Sequence, residues 1–283
     1  LSAQFVISTN RDLKNVSVEV SDLVAKNYKI SKWNTERGFV RYVMTDELNK
    51  DGKGACGHRP NKAEWDSTLV ADVIDHITPT LDIKKHTTQP VWVSVKVPRE
   101  NIIKGMYRGT VTVKEDGKVL AQLPLVVTVK NRVLPEPKDW AFHLDLWQNP
   151  YSVARYYNVE PFSQEHFDLM RPIMTRYAEA GGKVITTSIM HKPWNGQTYD
   201  PFESMVTWMK KADGTWWFDY TVFDKWVEFM MSCGVKKEIN CYSMVPWRLS
   251  FQYFDQASNQ FKFFNGRPGE PAYEEFWMRM LQS

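Results

Sequence analysis

The sequence predicts a multidomain chain, an Ig-like β-sandwich followed by the first part of a (β/α)8, TIM-type barrel. Three observations predict it. Short runs of alternating apolar and polar residues fill most of the first 130 positions, with no long helical period. A Pro-rich stretch, KNRVLPEPKD, then interrupts them. Beyond it, helix-spaced segments alternate with short strands, the grammar of a parallel sheet with crossover helices. The resulting division is a sandwich domain at 1–130, a linker at 131–139 and a partial barrel domain at 140–283.

In the first domain the candidate strands are 2–8, 15–20, 38–44, 91–97, 106–114 and 118–129. The last two form a hairpin turning at Asp116-Gly117, a strong short-range turn signal. Pro98 and Pro124 point to strand ends, edges or bulges. Strands without intervening helices suggest two packed sheets. The stretch 46–90 reads as irregular. It holds GKGACGHRP, a surface turn at Asp46-Glu47, and an apolar patch from Leu69 to Ile74 that fits a strand or one helical turn. Pro135 and Pro137 make the linker extended and stiff.

The second domain opens on FHLDLWQNP, residues 142–150. As a strand it places Phe142, Leu144 and Leu146 on a face toward the barrel helices, and His143, Asp145 and Trp147 on the other. A helix follows over 163–181, with Phe167, Met170, Met174 and Tyr177 in phase, Ser163 as its cap and Gly181-Gly182 as its stop. The strand 183–190 comes next. The pattern recurs as a helix over 221–234, capped by Thr221 and ended by Gly234, and a strand over 236–244. A last amphipathic segment starts near Pro271 and runs to Ser283. Each strand releases the chain through a Trp close to a Pro: LDLWQNP, IMHKPW and SMVPW. A full barrel needs eight such units. Three and part of a fourth are present, so the sequence reads as a fragment cut at both ends, with any export signal lying before Leu1.

Bulk properties narrow the function classes. The formal net charge is +3, with 43% hydrophobic and 24% charged residues. No Lys/Arg stripe marks a nucleic-acid surface, and no run of 18 apolar residues marks a membrane span. Cys56, Cys233 and Cys241 are too widely spaced for a disulfide framework or a zinc site and read as buried free thiols. No cofactor is expected, and nothing sets an oligomeric state.

In a TIM barrel the C-terminal strand ends build the active site. The candidates there are His143, Asp145, Trp147 and Gln148 from the first strand, His191 and Trp194 from the second, and Tyr242 and Trp247 from the third. Nine of the twelve Trp lie after residue 139. Aromatic faces among scattered polar groups suit a sugar, with rings on its C–H face and polar groups on its hydroxyls. Two further hairpins, 205–220 turning at Asp213-Gly214 and 249–264, sit after strand ends, where loops carry function. Plainer readings stand beside these. Asp145 fits a barrel-interior charge paired with Lys or Arg, and His143 and His191 fit satisfied core histidines. Trp194 and Trp247 fit packing caps, while Trp216, Trp217, Phe261 and Phe263 fit residues that hold the hairpins together. Phe223 and Trp226 are core. His143, Asp145 and His191 specify a metal site poorly, and none is expected.

The segments WAFHLDLWQNP, GGKVITTSIMHKPW and DGTWWFDYTVFDKWVEF resemble glycoside hydrolase family 123. The resemblance is most specific between Trp140 and Trp247. It implies an exo-acting, retaining β-N-acetylgalactosaminidase of bacterial, secreted, periplasmic or outer-surface location, acting on a glycan that carries an N-acetylhexosamine. It also implies substrate-assisted catalysis, in which an adjacent Asp-Glu pair after the fourth barrel strand orients the acetamido group and protonates the leaving oxygen. The only Asp-Glu dipeptide here is Asp46-Glu47, in the sandwich half, and it is not given that role. The catalytic pair is expected beyond residue 283, and the chain alone is expected to be inactive. Two alternatives remain: a glycan-binding protein without chemistry, and a surface adhesion module in which the first domain matters most.

Overall fold

The computed structural model describes residues 1–45, 68–196 and 198–283. Asp46-Glu47, the GKGACGHRP segment and Cys56 lie outside the described residues. The chain divides into two compact units, Leu1–Val133 and Leu134–Ser283.

The first unit holds β1 (Ser2–Ser8), β2 (Leu13–Val20), β3 (Leu23–Ala25), β4 (Tyr28–Ile30) and β5 (Thr35–Thr45). It continues with β6 (Thr68–Asp75), β7 (Leu81–Ile83), β8 (Thr88–Val95), β9 (Gly105–Glu115) and β10 (Lys118–Val129). One antiparallel sheet runs β1-β8-β5-β6; the other runs β4-β3-β9-β2-β7, with β10 on β9. The Leu69–Ile74 patch is therefore strand, within β6. Leu13, Val16, Val18, Ile83, Val111 and Val113 of the second sheet meet Phe39, Val91 and Val93 of the first in one core. Side chains of this size contribute ~1.5–3 kcal/mol each on full burial. The β9–β10 turn has Asp116 at φ 46 and Gly117 at φ 78, the backbone that a two-residue hairpin requires. Pro124 falls inside β10 opposite Thr110, whose N–H and carbonyl both bond Ser21 on the other side, so the missing N–H removes no ladder bond.

The second unit starts with a single 3-10 turn at Pro137–Asp139, so the linker is not extended throughout. It then holds α1 (Pro150–Tyr157), α2 (Gln164–Glu179), β11 (Val184–Ser188), β12 (Thr207–Lys210) and β13 (Trp216–Asp219). After these come α3 (Thr221–Cys233), β14 (Glu238–Tyr242), β15 (Ser250–Asp255), β16 (Gln260–Asn265) and α4 (Pro271–Leu281). β11 and β14 pair in parallel, and Leu144 makes a parallel bridge to Gly182. Three parallel segments thus follow one another in chain order, with helices between them.

The expected strand 142–150 is reduced to that one bridge. Asn149 ends it early: its side chain accepts the Tyr151 N–H, and Pro150 supplies the first residue of α1. Its outward apolar face fails with it. Leu144 packs into the core, but Phe142 is 66% and Leu146 57% exposed. α2 is capped by Ser163 as its sequence suggests, and buries Phe167, Met170, Met174 and Tyr177 against Trp226, Phe229 and Met230 of α3 and Ile185 of β11. α3 differs at its start. Thr221 is not the cap acceptor; its N–H and hydroxyl both donate to Asp219 Oδ1. α4 closes at Leu281 with Gln282 as C-cap rather than running to Ser283.

Both expected hairpins form, and β12 pairs in parallel with β15 to join them in one sheet, β13-β12-β15-β16. Its inner face, with Trp208, Phe218, Phe251 and Phe264, packs on Tyr273, Phe276, Trp277 and Met280 of α4. Trp208 stacks on Phe276 at 4.8 Å and 6°. Trp216 joins this packed layer, whereas Trp217, Phe261 and Phe263 are exposed. Among the described residues, no helix is long and apolar enough to cross a membrane.

Candidate functional site

The five residues of β11 are all buried. β14 pairs along one edge, and on the side of the 144–148 segment a side chain replaces most of the absent ladder. Gln148 is 6% exposed. Its Oε1 accepts the Thr186 N–H at 2.8 Å, and its Nε2 donates to the carbonyls of Val184, at 3.3 Å, and Leu146. The Tyr177 hydroxyl lies 3.1 Å from the carbonyls of both Leu144 and Val184. Gln148 therefore stands behind the strand end as a backbone clamp, with its amide committed to the backbone.

The strand ends bring three aromatic rings together. Trp147 and Trp194 have centroids 4.7 Å apart at 30°, Trp194 and Tyr242 4.7 Å at 49°, and Trp147 and Tyr242 5.3 Å at 62°. Phe202 backs Trp194 edge-on at 4.7 Å. Trp194 is 7% exposed and Trp147 53%. The cluster is a buried base carrying one open indole.

Polar groups flank it. Asn240 Nδ2 donates to Asp145 Oδ2 at 3.3 Å, while Asp145 Oδ1 is buried with no partner. No Lys or Arg pairs with Asp145 among the described residues, so it is not the interior ion pair that one sequence reading offered. Burial raises the pKa of the Tyr242 phenol, and the Asp145 charge raises it further; hydrogen bonds with Asn240 and Trp147 oppose both. On the other side, His191 Nδ1 sits 2.5 Å from Glu203 Oε2. That bond leads the causes that hold Glu203 below the usual carboxylate range, against an opposing effect of burial. The Glu203 backbone is fixed as well, its carbonyl accepting from Ser188 Oγ at 2.5 Å and Tyr151 Oη at 3.0 Å.

Two expected members lie apart. His143 is exposed, with Nδ1 3.7 Å from Glu238 Oε1, at the start of β14, whereas Tyr242 is at its end. About 13 Å of strand separates the two ends. Trp247 is 65% exposed and does not stack on the cluster; it lines a concavity of about 450 Å³ with Leu249, Asn265, Gly266, Arg267 and Glu270. Glu203, Asn240 and Phe202 escaped the sequence reading. Asn240 alternates with Tyr242 in EINCY and could have been found as its same-face neighbour; Glu203 lies in a loop without a period. Of the thiols, Cys233 is buried, but Cys241 is exposed because its side of β14 is left uncovered. Among the described residues, no group of three His, Cys, Asp or Glu side chains could hold a metal ion.

Chemically, the arrangement can stack a sugar ring on Trp147 and offer it the polar groups beside Tyr242. Asp145 accepts from Asn240 through Oδ2, and Glu203, held below the usual carboxylate range, pairs with His191.

Residues 147–283 match the family model described as glycoside hydrolase 123, catalytic domain, and residues 1–115 match glycoside hydrolase 123 N-terminal domain. Trp147, Trp194 and Tyr242 fall inside the first match; His143 and Asp145 precede it. Among solved structures, the chain is similar to a family 123 glycoside hydrolase from Clostridium perfringens, studied for glycolipid glycan hydrolysis, with a TM-score of 0.88 and 28% identity. The similarity covers 100% of this chain and 48% of that one, so the chain spans about half the length of this relative. No curated protein sequence matches it.

Proposed function

The chain belongs to glycoside hydrolase family 123, and from that membership we propose that it is part of an exo-acting, retaining β-N-acetylgalactosaminidase or a related hexosaminidase. The observation that carries the reading is the open Trp147 ring, braced by Trp194 and Tyr242 beside the Asp145–Asn240 pair. On this reading the second unit is the first part of a (β/α)8 barrel. Support comes from its three parallel segments in chain order, with the aromatic rings at their C-terminal ends, where such barrels do their chemistry. The first unit is an Ig-like sandwich, a reading supported by two antiparallel sheets on one core. The substrate class is a glycan ending in a β-linked N-acetylhexosamine. The C. perfringens relative's connection with glycolipid glycans makes a glycolipid headgroup the first choice, and export from a bacterial cytoplasm goes with it.

The proposed reaction is substrate-assisted. The acetamido oxygen of the sugar bonds to the anomeric carbon as the glycosidic C–O bond breaks. A carboxylic acid protonates the departing oxygen, and water then opens the cyclic intermediate on the original face. The orienting Asp and the protonating Glu form an adjacent pair in the resemblance, and no Asp-Glu dipeptide occurs from residue 48 onward. Sequence outside these 283 residues supplies them. His143, Gln148 and Trp247 then rank below Trp147, Trp194 and Tyr242 as contacts to the reacting sugar.

The test is hydrolysis of an aryl N-acetyl-β-galactosaminide by this chain and by a longer product of the same reading frame. Turnover with retained anomeric configuration in the longer protein alone is the expected result. Turnover by the 283-residue chain would sink the placement of the catalytic pair. Binding without turnover in the longer protein would support the second reading, a glycan-binding protein without chemistry, which the engaged state of Asp145 and Glu203 favours.

A further inference from the structure

We propose that the outer face of the β13-β12-β15-β16 sheet docks on the surface of a phospholipid bilayer. This goes beyond the glycosidase reading and does not depend on it.

Three observations carry the inference. The first is register. Trp217 pairs with Met209, Met209 with Phe254, and Phe254 with Phe261, so each of the four strands gives one side chain to a single row. Four neighbouring strands make that row ~14 Å long. Its members alternate with Trp208, Phe218 and Phe264, which pack on α4, and so they stand on the opposite face. Phe261 meets Phe254 edge-on at 5.5 Å, and Phe263, two residues further on, widens the apolar surface beside Gln252. The sheet is also anchored at the strand ends that carry the aromatic cluster. Met205 N–H donates to the Ser188 carbonyl at 2.7 Å, and the Trp208 indole N–H to the Ile189 carbonyl at 2.9 Å.

The second is the chemistry of the face. Along the row only the Trp217 indole can hydrogen-bond, whereas a sugar needs several convergent polar groups. Backbone groups between paired strands are already bonded to each other, so drying the face costs little. Lys211 ends the row and lines a hollow of about 300 Å³ with Met209, Trp217 and Gln256. The carboxylates flanking β13 are engaged, Asp213 by Thr215 and Asp219 by Thr221. One cation against two carboxylates leaves no positive excess, so the attraction is apolar rather than electrostatic. Rings with a long cationic side chain at their rim suit a membrane–water boundary: the rings enter the acyl edge and the ammonium stays among the headgroups.

The third is area. Trp217, Phe261 and Phe263 are each about half exposed, which makes ~300 Å² of ring surface together. A contiguous patch of that size marks an interaction site. It falls well short of the ~800 Å² that each partner gives to a stable protein complex. Shallow insertion of a few rings requires no more, and this singles out a lipid surface over a second copy of the chain.

The experiment is co-sedimentation of the full chain with vesicles of phosphatidylcholine alone. These carry no sugar, so the result is separate from that of the hydrolysis assay. The unaltered protein is expected to sediment with the vesicles, and to do so equally at ~1 M salt, where charge attraction is screened within ~3 Å. Phe261→Gln/Phe263→Gln should weaken partitioning about tenfold or more. Trp33→Ala, which removes an exposed ring from the first unit, should leave it unchanged. Phosphatidylcholine brominated on its acyl chains should quench tryptophan emission, and Trp217→Phe, which keeps an aromatic ring in the row, should lose most of that quenching. Thermal unfolding checks the double variant; if it is unfolded, the quenching comparison decides alone. No sedimentation of the unaltered protein, unchanged partitioning of the folded double variant, equal loss in Trp33→Ala, or quenching that survives Trp217→Phe overturns the proposal. So does release by ~1 M salt. A dimer in vesicle-free solution that Phe261→Gln/Phe263→Gln dissociates also overturns it, by assigning the face to a second copy.

Discussion

Trp147 and Trp194 hold their rings 4.7 Å apart and 30° from parallel, one buried and one open. Their roles separate on that basis. Trp194→Ala removes a buried ring that touches Trp147, Phe202 and Tyr242, and should cost ~3–5 kcal/mol in urea unfolding of the second unit. Trp147→Ala should cost about 1 kcal/mol while weakening sugar binding about tenfold or more. Equal destabilisation by the two would refute the division into base and platform.

Gln148 should behave as a structural residue. Gln148→Leu leaves the Thr186 N–H and the Val184 carbonyl without that partner in a buried setting, at a cost of ~1–3 kcal/mol. Amide hydrogen exchange at Thr186 should accelerate about tenfold or more. Unchanged exchange at Thr186, together with lost sugar binding, would instead make Gln148 a ligand contact.

Asp145 and Tyr242 are electrostatically coupled. Asp145→Asn should lower the pH at which the Tyr242 phenol ionises, because a negative charge that opposes phenolate formation is gone. Trp147→Phe should shift it the other way by removing a donor to the phenolate. Tyrosine-labelled NMR titration reads both, and a Tyr242 indifferent to Asp145→Asn would break the coupling.

His166 makes the second unit acid-sensitive. Its ring is fully buried, with Nδ1 accepting the Phe162 N–H at 2.9 Å and Nε2 2.9 Å from the Pro150 carbonyl. A neutral ring with its proton on Nε2 satisfies both contacts; a charged ring would set one N–H against another. Burial lowers its pKa, with the Pro150 bond opposing. The folded value thus lies below the unfolded ~6.5. Its contribution is complete above ~6.5 and is lost as the pH falls through the folded value. Urea midpoints at pH 7.5 and pH 5 should drop in the unaltered protein and drop less in His166→Gln. Equal drops would assign the sensitivity elsewhere.

The long elements were legible because a period needs several residues to show. β9, β10, α2 and α3 announce themselves; β3, β4 and β7, at three residues each, carry no period. FHLDLWQNP misled for the opposite reason. Its alternation is real, but a single bridge holds Leu144 alone and leaves Phe142 and Leu146 in solvent. The aromatic cluster was legible because three strand ends each place a ring at one level. Gln148 and His143 show the limit. A polar side chain near a strand end looks alike in sequence whether it meets a ligand, a backbone or Glu238. The β12–β15 pairing was invisible, since each hairpin is complete by local rules and only the fold brings Met209 beside Phe254.

That pairing has an evolutionary corollary. The two strand-end hairpins are separate insertions along the gene but a single sheet in space. Loss of either would strip a hydrogen-bonded edge from the other and uncover aromatic residues packed on α4. Recombination that exchanges one hairpin between relatives therefore breaks a shared seam, whereas exchange of the whole span from β12 to α4 carries it intact. Lineages should gain, lose and resize the two hairpins together, as one inherited cassette.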